Sequence, residues 1–407
     1  MKRRGLPKLI IVISLVVALA IVVPLMSGCI GKPAAEKEQP EVWKYGTIQA
    51  MTGFGSYWGE VQAKAHILAA EQLTLSGEFP FAIEVIVGDH RSDDPTAALN
   101  AAHRLIDIEH VPWINSSWVA STMAINPLCQ ENKVVEINAV GTGEGLVGLP
   151  WLHNLRLQAN QINPAIMDYM YDTYNFSKAA IFWWNDAGPT AQSEIAKQWC
   201  AQNGVDIVFA EPFEPNTTEF RTVLTEIEAK DPDVIFIWGY GADVGYFVKQ
   251  AREKGMYPAI PIATNYVDDV TYQGSGEALD GVVWGDAFWW PALDSEMSRE
   301  FKSLYSRKWG VPEDEINQCA AMEWEAAMGV MRKTLHHVID NGGDPFDGEQ
   351  LEMAIREIKF FPTIFSDGEM ELLPNGMNIK PMFIVRQGKT LLDFEVLTTV
   401  ERAEPLE

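Results

Sequence analysis

Residues 231–255 read DPDVIFIWGYGADVGYFVKQAREKG, and the order of residue types within them decides the architecture. Residues 234–238 are an unbroken run of β-branched and aromatic residues between an Asp-Pro-Asp turn and a Gly-Tyr-Gly turn, which predicts a strand buried on both faces. Residues 243–254 then follow with helical period. A buried strand feeding straight into a helix is the repeating half of a crossover unit. Such units assemble parallel sheets covered by helices on both faces.

Outward from this unit the pattern repeats. Strands at 179–184 and 205–210 alternate with helices at 190–202 and 219–230, and a further strand follows at 260–263. An earlier series has strands at 45–50, 83–87, 112–115 and 134–138. Its helices lie at 61–75 and 95–108, the second opening on Asp94 as N-cap with Pro95 in its first turn. Two successive series predict an α/β fold of two doubly wound, Rossmann-like lobes with a ligand cleft between them. After Trp284, three helical segments at 295–309, 319–341 and 348–358 are expected to return to the first lobe. Residues 382–386 and 390–394 around Gln387-Gly388-Lys389 read as a β-hairpin. The implied division is 43–157 with 285–361 for lobe 1, 158–284 with 362–397 for lobe 2, and a tail at 398–407. Crossings near Leu157, Trp284 and Phe361 would form the hinge.

Residues 1–28 read as a leader outside both lobes. Lys2, Arg3, Arg4 and Lys8 precede an apolar run at 9–23, which ends in Leu25-Met26-Ser27-Gly28-Cys29, two small residues before a cysteine as a lipoprotein signal peptidase requires. Cys29 would then carry lipid; retained as an anchor, the segment still places the rest of the chain outside the cytoplasm. Residues 29–42, rich in Lys, Glu, Pro and Ala, read as a flexible tether. The chain carries 31 basic and 56 acidic residues, or −25, and removal of the leader's four basic residues leaves 27 against 56, or −29. That balance disfavours nucleic acid and anionic membrane surfaces as partners and reads as solubility. Cys129, Cys200 and Cys319 do not make a disulfide framework; a 129–200 or 129–319 bridge stays open.

Residues 45–59, YGTIQAMTGFGSYWG, resemble the first strand and ligand loop of type I periplasmic binding proteins of the branched-chain amino acid and amide class. Residues 88–107, GDHRSDDPTAALNAAHRLID, are similar to that family's acidic turn and Ala-rich helix, and residues 231–255 to its second-lobe strand and helix. Gly281-Val282-Val283 and FSDGEM at 365–370 fall in the family's order too, so the resemblance spans roughly 43–397. It implies a solute-binding lipoprotein of an ABC importer that works as a monomer without cofactor or metal. Its partners would be a small-molecule ligand and the importer's permease subunits. A sensor feeding a membrane receptor needs the same closing lobes and is the alternative reading.

By the same resemblance, Trp58 covers the ligand, Ser116 and Ser117 at a helix start suit a carboxylate, and Thr142 and Gly143 lie in a ligand loop. Tyr240 would close on the ligand from lobe 2. The family's acidic partner for a ligand ammonium falls at Thr264 or Asn265, a further cleft tyrosine near Gly188, and its early cysteine pair near Asp93 and Trp118. Asp186, Asp243 and Asp268 are the acids that could replace the missing one. The ligand class implied is a branched-chain or other apolar amino acid, or a related amide or aromatic carboxylate.

Eight of the 14 tryptophans, at 113, 118, 183, 184, 238, 284, 289 and 290, lie at or just after predicted strand ends, where an interlobe cleft forms. Several are expected to line it. Trp183 and Trp184 are consecutive in a strand, so at most one faces ligand, and Trp183 is the candidate. Residues 143–148 fit a dinucleotide fingerprint, but Pro150 interrupts the helix it requires and Glu144 would repel a pyrophosphate. Neither G-x-S-x-G nor H-E-x-x-H occurs, which makes an extracytoplasmic enzyme the remote reading.

Overall fold

The computed structural model describes residues 41–287, 294–366 and 368–405. Lobe 1 is built on β1 (Val42–Gln49), β2 (Ala82–Asp89), β3 (Trp113–Ser116), β4 (Val135–Asn138) and β5 (Leu152–Asn154), all parallel and ordered β2-β1-β3-β4-β5. Between them run α1 (Ser56–Ser76), α2 (Pro95–His103) and α3 (Val119–Glu131). The Asp94 carboxylate accepts from the N–H groups of Thr96 and Ala97, capping α2 as expected. The helix predicted through residue 108 does continue, as a π-helical turn from Arg104 to Ile108.

Lobe 2 repeats this topology. Its elements are α4 (Ala159–Tyr174), β6 (Lys178–Trp184), α5 (Ala187–Asn203), β7 (Asp206–Phe213), α6 (Arg221–Ala229), β8 (Val234–Trp238), α7 (Gly241–Glu253), β9 (Ile262–Thr264), α8 (Asp269–Ser275) and β10 (Val283–Asp286). The parallel strands run β7-β6-β8-β9-β10, the same succession as in lobe 1. In each sheet the strand order reverses beside its first strand, which opens a crevice at the C-terminal ends. β3, β4 and β8 are buried along their whole length, as strands covered on both faces must be.

Next, α9 (Glu296–Trp309), α10 (Gln318–Glu325), α11 (Arg332–Asp340) and α12 (Gly348–Ile358) return to lobe 1, with α10 and α11 joined by a π-helical stretch, Ala326–Met331. His66 of α1 lies 2.8 Å from the Glu323 carboxylate of α10, both side chains fully buried, and the Trp43 indole N–H donates to the Pro345 carbonyl. A small antiparallel sheet follows, β11 (Phe360–Pro362), β12 (Glu369–Leu372) and β13 (Asn378–Ile379). It belongs with lobe 1, because the Asn154 N–H donates to the Gly376 carbonyl at 2.7 Å. The chain enters the second sheet only as β14 (Met382–Gln387), antiparallel to β10, and ends it with β15 (Phe394–Val400).

These connections move the expected boundaries. The third crossing falls at residues 380–381 instead of near Phe361, and β10 stays in lobe 2 through Asp286. The hairpin forms, but residues 388–393 are its turn, closed by Gly388 N–H and Lys389 N–H on Asp393, so the returning strand starts at Phe394 and takes in part of the expected tail. Cys129, Cys200 and Cys319 are buried free thiols, and neither possible bridge exists. No helix among the described residues is long and apolar enough to cross a membrane. The leader, Cys29, most of the tether, Trp289 and Trp290 lie outside the described residues.

Candidate functional site

A cavity of about 560 Å³, measured to its open mouth, lies between the lobes. Its wall is built mostly from segments that follow strand ends: Trp118 and Val119 after β3, Val140 to Thr142 after β4, Trp184 and Asp186 at the end of β6, Tyr240 after β8 and Tyr266 after β9. Trp58 and Gln62 of α1, Gly188 of α5 and Cys319 of α10 complete it, with Arg156 from the first crossing. The predominance of apolar wall with a few convergent polar groups suits a small organic solute.

The aromatic part of the wall is held by close backbone approaches. A Cβ on Gly59 would stand 2.1 Å from the Ala50 carbonyl oxygen, so only glycine lets α1 start this near the end of β1, and that start carries Trp58. The Trp58 indole N–H crosses the cleft to the Asp268 carboxylate at 2.9 Å, and its ring lies against Gly241, where φ is +69°. Phe54 packs between Trp118 and Trp184, with ring centroids at 5.4 and 5.8 Å, joining a lobe 1 indole to a lobe 2 indole.

The polar part also spans the cleft. Gln192 of α5 donates from Nε2 to Thr142 Oγ1 at 2.8 Å and to the Tyr240 hydroxyl at 3.2 Å. Arg156, 4% exposed, donates from Nε and Nη2 to Asp286 at 3.0 and 2.5 Å and from Nη1 to the Val140 carbonyl at 3.0 Å. Burial is the largest single influence and opposes its charge, but Asp286 together with the Tyr240 and Tyr266 hydroxyls and the Cys319 thiol more than offsets it, so the guanidinium stays protonated. Asp186 caps α5, and burial together with the charge of Asp93 pushes its carboxyl up to about 6.

Of the residues singled out from sequence, Trp58, Thr142 and Tyr240 are brought together in this wall. Ser116 and Ser117 are not. The Ser116 hydroxyl accepts from Thr122 Oγ1, and Ser117 donates to the Ile48 carbonyl beside His90. The α3 start that they were expected to open to a carboxylate is already filled, since Asp93 accepts from the N–H groups of Ala120 and Ser121 at 3.0 and 2.7 Å. The Gly143 N–H donates to Gln158, outside the wall, and Asn265 is buried with its carbonyl oxygen on the Gly239 N–H. The alternation at 183–184 holds, but the inward ring is Trp184; Trp183 packs in the lobe 2 core under Lys197. Trp113, Trp238 and Trp284 are core residues, and Trp118 lines the cleft. Among the three acids, Asp186 alone faces the cavity: Asp243 is spent on the Trp184 indole and the Asn216 N–H, and Asp268 on Trp58 and Thr271.

Sequence reading missed Arg156, Tyr266, Gln62 and Cys319. Arg156 did leave a trace, as the only Asp, Glu, Lys or Arg between Glu144 and Asp168. An isolated cation in an apolar stretch is a candidate for buried pairing.

Comparison with known proteins agrees with this architecture. An amino acid binding protein of Pseudomonas aeruginosa is 21% identical over 237 residues, 57% of this chain and 63% of that protein, so the chain spans less than two thirds of that relative's length. A leucine-binding protein of Thermotoga maritima has the same fold, with a TM-score of 0.75 at 22% identity over 88% of this chain and 99% of its own. So does a solute-binding protein of Rhodopseudomonas palustris crystallised with 4-hydroxybenzoate, with a TM-score of 0.73 at 18% identity over 89% and 98%. The periplasmic binding protein family model matches residues 42–390, and the chain, with its two doubly wound lobes and the cavity between them, belongs to that family.

Proposed function

We propose that the chain is the extracytoplasmic solute-binding component of an ABC importer, tethered by lipid on Cys29, and that it captures an apolar or aromatic amino acid as its lobes close. The observation that carries this reading is the cavity wall, where indole and phenol rings surround a site with one cation, Arg156, and one carboxylate, Asp186. A zwitterion with an apolar side chain matches both charges and the rings. Trp58, Thr142 and Tyr240 would touch it, the last two linked through Gln192 across the cleft. The amino acid and leucine binders among the relatives support the ligand class by likeness alone.

The test is a thermal-shift screen of the mature protein against amino acids, amides and aromatic carboxylates. A ligand at ~100 times its dissociation constant adds about 2.7 kcal/mol of stability. A shift with leucine or phenylalanine is expected. Shifts confined to benzoate-like acids would remove the ammonium from the ligand, and no shift with any member would remove solute capture itself. For the anchor, replacing Cys29 by Ser should release the protein from the membrane fraction; unchanged membrane retention would point to an uncleaved segment instead.

A further inference from the structure

We infer that Arg156, at the hinge, holds the carboxylate of the solute, and that the start of α3 does not; the inference rests on the solute-capture reading above. The first support is that the start of α3 is occupied. Asp93 takes the N–H groups of Ala120 and Ser121, so a second carboxylate there would meet a like charge and find those donors spent. The hydroxyls of Ser116 and Ser117 are engaged within lobe 1.

The second support is an incomplete set of hydrogen bonds on a buried cation. Arg156 Nη1 has two N–H groups and gives one to the Val140 carbonyl; Nη2 has two and gives one to Asp286. One N–H on each terminal nitrogen therefore has no acceptor among the described residues, in a side chain 4% exposed that lines the cavity. Buried charged donors are costly to leave unpaired, and a carboxylate oxygen is the acceptor that suits them best. The guanidinium is also held in place before any solute arrives, over the rings of Tyr240 and Tyr266 at 6.0 and 5.2 Å and by its bonds to Asp286. The Arg156 carbonyl accepts from Asn378, beside the third crossing, so occupancy of this residue bears directly on the hinge.

Calorimetric titration of the mature protein tests the assignment with L-leucine, L-phenylalanine, phenylalaninamide and benzoate. The acid is expected to bind ~30-fold tighter than its amide, the worth of charge-assisted hydrogen bonds. The shape-preserving double replacement Arg156→Gln with Asp286→Asn should remove that preference, while Asp93→Asn should leave it within about two-fold. If the double variant does not fold, Arg156→Lys, which keeps the charge and loses the planar donor set, should weaken the acid by ~10-fold. An acid-over-amide preference that survives both Arg156 variants, or one that rises in Asp93→Asn, overturns the assignment. Binding of benzoate alone, lost in the Arg156 variants, would sink the amino acid reading and leave this one standing. Failure of every carboxylate to bind the wild-type protein would sink both.

Discussion

Asp186 is the residue on which the electrostatics of the site turn. Its carboxyl titrates near 6, above the ordinary 3.8, because burial and the charge of Asp93 disfavour the ionised form. In the unliganded protein the folded state therefore keeps a proton that the unfolded chain has lost between those values, so this group lowers stability as pH rises through that window. An ammonium group beside it reverses the preference. Leucine binding should strengthen from pH 5 to pH 7 with proton release, then level off, and Asp186→Asn should abolish the slope. Titration calorimetry in buffers of different ionisation enthalpy reads this directly, and an opposite slope would take the ammonium away from Asp186. None of this was visible at the residue level in sequence, where Asp186, Asp243 and Asp268 all lie shortly after a strand, at or just inside the start of the next helix. Only their hydrogen-bond partners separate them.

At the scale of elements, α1 shows how the fold aims a side chain. The family resemblance around residues 45–59 placed Trp58 at the cleft, and α1 begins at Ser56, before the helix start expected at residue 61, so that Trp58 sits in its first turn. The close approach of Gly59 to Ala50 then fixes the angle of that first turn. Gly59→Ala should cost about 1–3 kcal/mol in urea unfolding, the usual penalty of overpacking, and weaken solute binding by more than the stability loss explains. Stability lost without any effect on binding would mean that α1 positions Trp58 by other contacts. Two turns further along the same helix, Glu323→Leu would strip His66 of its buried partner. A loss of about 3–5 kcal/mol is expected, against a small effect for an exposed pair such as Lys64 and Glu60.

For the whole molecule, the question is what joins the lobes. Residues at or beside the crossings form buried pairs: Arg156 with Asp286, and Lys380 with Glu325, whose other oxygen takes the Thr363 hydroxyl and the Ile364 N–H. Buried charges need fixed partners, so these pairs restrict how the crossings can bend. Across the mouth, Trp58 meets Asp268, and the Tyr57 hydroxyl donates to Asp269, which also accepts from Asn317. Trp58→Phe removes one of these bonds and leaves Asp268 its bonds from Thr271. It should weaken solute binding by ~10-fold and enlarge the unliganded radius of gyration in X-ray scattering. Unchanged scattering and affinity would show that the bond does not bias closure.

By itself the sequence determined the two-lobe α/β fold, the order of its strands and helices, and the part of the site that local geometry dictates. Segments that follow strand ends reach the cleft, and the family resemblance singled out Trp58, Thr142 and Tyr240 there, which the structure places in the cavity wall. Tertiary structure alone decided which face of Trp183-Trp184 turns inward, because that depends on which helix covers each side of β6. It also decided that Asp93 fills the start of α3, that residues 360–379 stay with lobe 1, and that Arg156 reaches the cavity. Each of these is a contact between segments far apart in the chain, and local periodicity carries no record of such a partner.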